Sequence, residues 1–375
     1  MSLPIIRLEG TPYDQGRTHG EALRQRIGRN LEVYFRRFER EAGLPPAEVL
    51  ERAARYLAAM TDRHRDYVDG MQGIASGSGC LLVEIAALNV RYEILYDRYT
   101  KEALETGAGH GLPPEGDGCT SFAVLPERTS DGHLLMGQNW DWIPEVQGAV
   151  LQTDYPDGFR TLAFTEAGIF GGKIGLNSEG VGLAVNGLLS TGDDWSRLGT
   201  PFHVRCWNVL RSRSLSSARA AALEDDRPRS CSSNLLFAHD GSGAVDFELA
   251  PSAHAVLNPE DGVLVHANHF VEPASIGVQQ PPLERGWLSE CRHSRLGQLL
   301  RAHAPLSVER IQGLLRDHEK YPNAICRHPD PALPEEERSI TVTSVVIDLT
   351  DRRMWITDRQ PCENAYEEIR LATAD

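Results

Sequence analysis

The sequence predicts an α+β fold built in layers, and three observations carry that expectation. Apolar residues recur at helical spacing through the first hundred positions, a stretch dominated by glycine and proline follows, and short strands joined by turn residues fill the rest. Taken in order, Leu23, Ile27, Leu31, Tyr34 and Phe35, then Val49, Leu50, Ala53, Leu57 and Met60, mark one face of successive helices within about Tyr13 to Tyr96. Residues 107–117 read as an exposed linker, the natural place for a break in the chain. A strand follows from Thr120 to Leu125. Ser130-Asp131-Gly132 supplies hairpin turn chemistry, and the return strand begins at Leu134 to Met136 and runs towards Trp142. The turns at Asn177 to Gly180, Asp240 to Gly243, Pro259 to Gly262 and Asp351-Arg352 read as further hairpins of antiparallel sheets. Strands are expected at Gly182 to Val185 and Ile340 to Leu349, with helices at about Phe202 to Leu223, Cys291 to His303 and Ser307 to Asp317.

Composition narrows the partners. With 375 residues and 41% hydrophobic content the chain can bury a substantial core, and a formal charge of -15 argues against nucleic acid, which needs clustered positive charge. Arg7, Glu9 and Asp14 follow Met1 too soon for a signal peptide, and apolar runs are too short to cross a bilayer, so a cytoplasmic protein without membrane contact is expected. Seven cysteines, odd in number, scattered and without a CxxC pair, suggest neither a disulfide framework nor a zinc module, and six read as packing residues. Gly107-Ala108-Gly109-His110-Gly111 lacks the preceding strand and following Lys-Ser or Lys-Thr of a phosphate loop.

Chemistry concentrates at Gly118-Cys119. A thiol placed after glycine can attack the preceding carbonyl, because no Cβ blocks the approach, and hydrolysis of the resulting thioester would free Cys119 as a new N-terminus. That residue would carry nucleophile and base together, a thiol of reference pKa about 8.5 beside an α-amine of about 7.7–8.0. The predicted hairpin folds Asp141 back towards Cys119, where a carboxylate would steady the protonated amine. Alone, the same residues read as a turn, a buried cysteine and a strand-end carboxylate.

The order of several motifs adds to this. Asp117-Gly118-Cys119-Thr120, Gly137-Gln138-Asn139-Trp140-Asp141, Thr165-Glu166-Ala167-Gly168-Ile169, Val265-His266-Ala267-Asn268-His269 and Ile325-Cys326-Arg327 resemble the isopenicillin N acyltransferase family. The resemblance implies a four-layer αββα sandwich of N-terminal nucleophile hydrolase type, cleaved between Gly118 and Cys119. Residues 1–118 would then form a helical segment, released or retained, and residues 119–375 the catalytic segment, the two packing as one domain and staying associated. It further implies Cys119 as nucleophile, Asp141 as its partner and Asn268 as side-chain donor to the oxyanion, a contribution of about 3–4 kcal/mol for such a group. Arg338 falls where the wider superfamily places an active-site arginine, with an ordinary surface residue after Glu335-Glu336-Glu337 as its alternative, and Asn186 is a second oxyanion candidate with a core role as its alternative. Trp142, Ile143, Leu188 and Leu235 are the residues expected to line an acyl pocket. His266 and His269 flank Asn268, yet no complete tetrahedral ligand set is visible beside them, so neither metal nor cofactor is expected.

The activity implied is hydrolysis of a small N-acyl amide or peptide through a thioester acyl-enzyme, with transfer, including from an acyl thioester, as a secondary capacity. Departures around Leu188 to Asp194 and at Asn234-Leu235 argue against penicillin synthesis. Two alternatives stay open from sequence: an uncleaved cysteine hydrolase using His266 or His269 as base, and an inactive binding protein keeping the same sandwich.

Overall fold

A computed structural model describes residues 3–106, 118–224, 227–283 and 285–371; the predicted linker 107–117 and its Pro113 to Asp117 run lie outside them. The chain opens with a strand, β1 (Ile5–Leu8), and then six helices: α1 (Pro12–Ala22), α2 (Arg24–Ala42), α3 (Pro46–Thr61), α4 (Arg65–Ser78), α5 (Leu82–Asn89) and α6 (Arg91–Thr106). Thr11 caps α1, its hydroxyl accepting from the Asp14 amide while Asp14 reaches back to the Thr11 amide. Helices α1 and α4 approach backbone to backbone, since a Cβ on Gly16 would sit 2.0 Å from the Gly70 carbonyl oxygen.

Beyond Gly118 come β2 (Thr120–Val124), β3 (Leu135–Trp142), β4 (Gly148–Asp154), β5 (Arg160–Glu166), β6 (Ile174–Asn177) and β7 (Val181–Gly187). After α7 (Phe202–Leu210) and α8 (Leu215–Leu223) follow β8 (Ser233–His239), β9 (Gly243–Leu249), β10 (His254–Leu257) and β11 (Val263–His266). The chain ends through α9 (Trp287–Ala302), α10 (Val308–Leu314), β12 (Ile340–Asp348), β13 (Arg353–Ile356) and β14 (Glu367–Arg370).

Two sheets result, one ordered β1-β4-β5-β6-β7-β8-β9-β10 and the other β11-β2-β3-β12-β13-β14. They face each other, with α7 and α8 against the larger sheet and α9 and α10 against the smaller one. This is the expected αββα sandwich. Strand alternation sorts the smaller sheet's side chains: Phe122, Val124, Leu135 and Val346 pack with Leu296, Leu300 and Ile311 of the outer helices, while Ala123 and Met136 join the core between the sheets. The N-terminal helices cover one end of the sandwich, where the Asn30 side chain donates to the Gln147 and Ala167 carbonyls and that of Asn89 to the Gly168 carbonyl. Among the described residues no helix is long and apolar enough to cross a membrane.

Two expectations are corrected. The stretch Phe202 to Leu223 is two helices, because Ser214 caps a new one, accepting from the Ser217 amide. The Pro259 to Gly262 turn closes one antiparallel bridge, Glu260 to Val263, with Asp261 and Gly262 at positive φ as turn chemistry requires, but it joins no two strands of one sheet: the chain leaves the larger sheet at β10 and enters the smaller at β11, which pairs with β2.

Candidate active site

The β2–β3 hairpin sets the centre of the site. Thr120 pairs with Asn139, so continuing the antiparallel register places Gly118 opposite Asp141, and Cys119 Sγ lies 3.9 Å from the Asp141 backbone oxygen. Both residues are buried, Asp141 wholly and Cys119 at 1% exposure. Asp141 sends its side chain to the outer face of the sheet. There its Oδ1 accepts from Thr341 Oγ1 at 2.6 Å and its Oδ2 stands 3.2 Å from Arg327 Nε. A register shift between Thr341 and Thr343 bulges β12 at this point, turning Thr341 to the carboxylate. Arg327 is fixed in turn: its backbone N–H donates to Thr341 Oγ1 and its Nη1 to Ser339 Oγ at 3.0 Å.

Gly118 fills the space between these groups. A Cβ there would come 2.8 Å from both Arg327 Cζ and Nε and 2.9 Å from Asp141 Cβ, distances side chains do not tolerate. Gly118, Asp141, Trp142 and Ile143 line a cleft whose far wall is Arg37 and Glu41 of α2 and whose rim carries Arg338. Cys119, buried, is not among the residues that line this cleft.

The Cys119 side chain, with the parity of Ser121, faces the space between the sheets. Ser121 Oγ donates to Asn186 Oδ1 at 2.6 Å, and Asn186 Nδ2, fully buried, has no acceptor among the described residues. Pairing of His266 with Ser121, carried two residues on, brings Asn268 level with Cys119. Asn268 Nδ2 donates to the Gly187 carbonyl at 3.1 Å and Arg292 donates to its Oδ1. On the same side lies Lys173, only 2% exposed, its Nζ 3.3 Å from the centre of the Trp140 ring and 2.6 Å from Glu166 Oε1. Burial lowers the Lys173 pKa, against the pull of Glu166 and, more weakly, of the Cys119 thiol. Burial also works against ionisation of Glu166, but Arg91 and Lys173 hold its carboxyl well below the ordinary range, and Tyr34 hydrogen-bonds it while receiving the Trp142 Nε1 hydrogen bond at 2.7 Å.

The structure thus gathers Gly118, Cys119, Asp141, Trp142 and Ile143 at one place, with Asn186 on β7 of the facing sheet and Asn268 two residues beyond the end of β11. Arg338 sits at the rim, donating to the Leu333 carbonyl. The arginine at the carboxylate is Arg327, from the motif Ile325-Cys326-Arg327, whose expected part from sequence was to brace the site. Lys173 was missed by that reasoning, since its position five residues after the motif glycine Gly168 gives no signal of a buried charge. Leu188 packs with Ala250 and Phe270, and Leu235 lies in mid-strand opposite Val185, so neither lines the cleft beside Asp141. His266 is occupied on both ring nitrogens, by Glu248 at 2.9 Å and the Ala267 carbonyl, while His269 meets Ser289 Oγ at 2.7 Å through Nδ1. Burial pushes the Cys206 thiol up to about 12 and that of Cys231 well above its ordinary value, as expected of packing residues.

Comparison with known proteins shows the family. Residues 128–363, more than half of the chain, match the acyl-coenzyme A:6-aminopenicillanic acid acyl-transferase family. The chain belongs to that family. The 40 kDa form of acyl-coenzyme A:6-aminopenicillanic-acid-acyltransferase from Emericella nidulans is 28% identical over 361 residues, covering 95% of this chain and 92% of the relative. Among solved structures, a variant of conjugated bile acid hydrolase from Clostridium perfringens shares 13% identity at a TM-score of 0.46, over 68% of this chain and 93% of that one. Penicillin V acylase from Agrobacterium tumefaciens shares 12% at a TM-score of 0.46, over 64% and 83%. Family membership places the chain in an acyl-transferase enzyme family.

Proposed function

We propose that the protein is a self-processing N-terminal cysteine amidohydrolase acting on small N-acyl amides or peptides, with transfer from acyl thioesters as a secondary capacity. The observation that carries this reading is Gly118, wedged against Arg327 and Asp141 directly before a buried cysteine. In the first stage Cys119 Sγ attacks the Gly118 carbonyl carbon. The peptide C–N bond breaks, its electrons and a proton go to the Cys119 nitrogen, and water then hydrolyses the thioester to leave a Gly118 carboxylate and a free amine. Departure of Gly118 vacates the floor of the cleft and exposes the thiol. In turnover the new amine accepts the thiol proton, the carboxylate of Asp141 steadies the ammonium, and the buried amides of Asn268 and Asn186 receive the developing oxyanion. Water releases the acyl group as an acid; an amine acceptor releases it as a new amide. The coenzyme A thioester and 6-aminopenicillanic acid in the relative's name are one such donor and acceptor pair; hydrolysis is the main reaction in this reading.

Both segments stay together after cleavage in this reading, since Tyr34 and Arg91 of the first hold Glu166 of the second in the core. A cytoplasmic setting is supported by seven cysteines that form no disulfide. Intact mass of the freshly purified protein is the test: two fragments meeting between Gly118 and Cys119, and neither cleavage nor amidase turnover in Cys119→Ala. Amidase activity in that variant, or in a wild-type chain that stays whole, would overturn the proposal.

A further inference from the structure

Away from the thiol at 119, four side chains distant in sequence converge: His318 after α10, Cys326 and His328 on either side of Arg327, and Cys362 after β13. Cys326 and Cys362 are two of the six cysteines that the sequence reads as packing residues. Their donor atoms all lie within 4.8 Å of one another. The two Nε2 atoms are 3.1 Å apart, the two sulfurs 3.5 Å, and His328 Nε2 stands 3.8 Å from Cys326 Sγ and 3.2 Å from Cys362 Sγ. Tetrahedral zinc, with bonds of about 2.3 Å to sulfur and about 2.0–2.1 Å to nitrogen, separates its ligands by about 3.3 to 3.8 Å. The cluster therefore has nearly the dimensions of a zinc shell. The backbone sets it up independently: Cys326 N–H donates to the Asp317 carbonyl, His328 N–H to that of Pro322, and Arg316 Nε to that of Pro361. His328 Nδ1 faces Glu363 Oε1 at 3.6 Å, the carboxylate that a metal-bound imidazole commonly finds behind it.

We propose that His318, Cys326, His328 and Cys362 hold one zinc ion. Two thiols and two imidazoles are the donor set that favours zinc over harder cations, and with four protein ligands no position is open for substrate, so the site is structural. Binding converts both thiols to thiolates and releases two protons, leaving a site of no net charge. The ion ties the 318–328 loop to the chain after β13. Arg327, between two of the ligands, is thereby held against Asp141, which makes the metal a positioning element for the processing site.

The test is elemental analysis of the protein expressed with added zinc and purified without chelator. One zinc per chain is expected, with loss of that zinc in His318→Ala and Cys362→Ser. His318 is exposed, so its variant keeps the fold, verified by circular dichroism. Cobalt(II) exchanged into the wild type should give thiolate charge-transfer and tetrahedral ligand-field bands that both variants lack. A metal-free wild type without these bands, a variant that retains its zinc, or mass spectrometry of thiol-blocked, unreduced protein showing Cys326 joined to Cys362, would overturn the proposal. None of these readouts depends on whether Gly118-Cys119 is cleaved.

Discussion

Gly118→Ala adds one methyl group at the most crowded point of the site. The new carbon would fall 2.8 Å from the Arg327 guanidinium and 2.9 Å from Asp141 Cβ. An unpinned arginine could swing aside. Arg327 is held by Ser339, by the Asp141 carboxylate and by its own backbone bond to Thr341, so relief means moving either that arginine or the Gly118 peptide. Overpacking of this kind costs about 1–3 kcal/mol. If the strain displaces the attacked carbonyl from the thiol, self-cleavage slows by about 5- to 150-fold, at about 1.36 kcal/mol per factor of ten. Residue 118 belongs to the leaving segment, so each chain that does cleave should turn over substrate at the wild-type rate. A cleavage time course by intact mass, with amidase activity expressed per mole of cleaved chain, measures both. Wild-type cleavage kinetics in Gly118→Ala would refute the account of this glycine, and slow turnover per cleaved chain would refute its confinement to processing.

Three further outcomes follow from the buried charges. Asp141→Asn removes the charge Arg327 faces and should cost about 3–5 kcal/mol in denaturant unfolding as well as abolish cleavage. Lys173→Met leaves Glu166 its Arg91 contact, so thermal or denaturant unfolding should show a smaller loss, about 1.5–3 kcal/mol for one charged hydrogen bond. His19, buried with Nε2 accepting from the Gly168 amide, has its pKa lowered by burial from 6.5 to about 4. The unfolded chain therefore binds a proton that the folded one refuses, and stability present above pH 6.5 is lost as pH falls towards 4. Relative to His19→Gln, which cannot titrate, the wild type should lose about 3 kcal/mol across that window, about 1.36 kcal/mol for each pH unit crossed; parallel pH profiles would contradict it.

The parts of the site legible in sequence were those close together along the chain. Gly118, Cys119 and Asp141 belong to one hairpin, whose turn and alternation are local signals. Asn268 needed the motif Val265 to His269, since its place level with Cys119 depends on β11 pairing with β2 across a long stretch of chain. Turn chemistry at Asp261-Gly262 was readable, but not that the turn changes sheets, because φ is local and sheet membership is not. Arg327 acquires its role from Asp141, far away in sequence, and Lys173 from Glu166, seven residues before it, but a buried cation looks in sequence like a surface one. The ligands at 318, 326, 328 and 362 escaped notice for a similar reason: the fourth comes from beyond two further strands, so no compact spacing announces them.

β1, in the segment before the proposed cut, lies parallel to β4 of the segment after it, Ile5 to Leu8 against Val150 to Thr153, and forms the border of the larger sheet. Scission at Gly118 would turn this tertiary pairing into a quaternary one, a donated ribbon contributed by a separate polypeptide. Loss of the small piece would bare the rim of β4, whose open amides and carbonyls invite other chains. Co-expression of the halves, rather than later mixing, is thus the route to reassembly, and the large half made alone should precipitate.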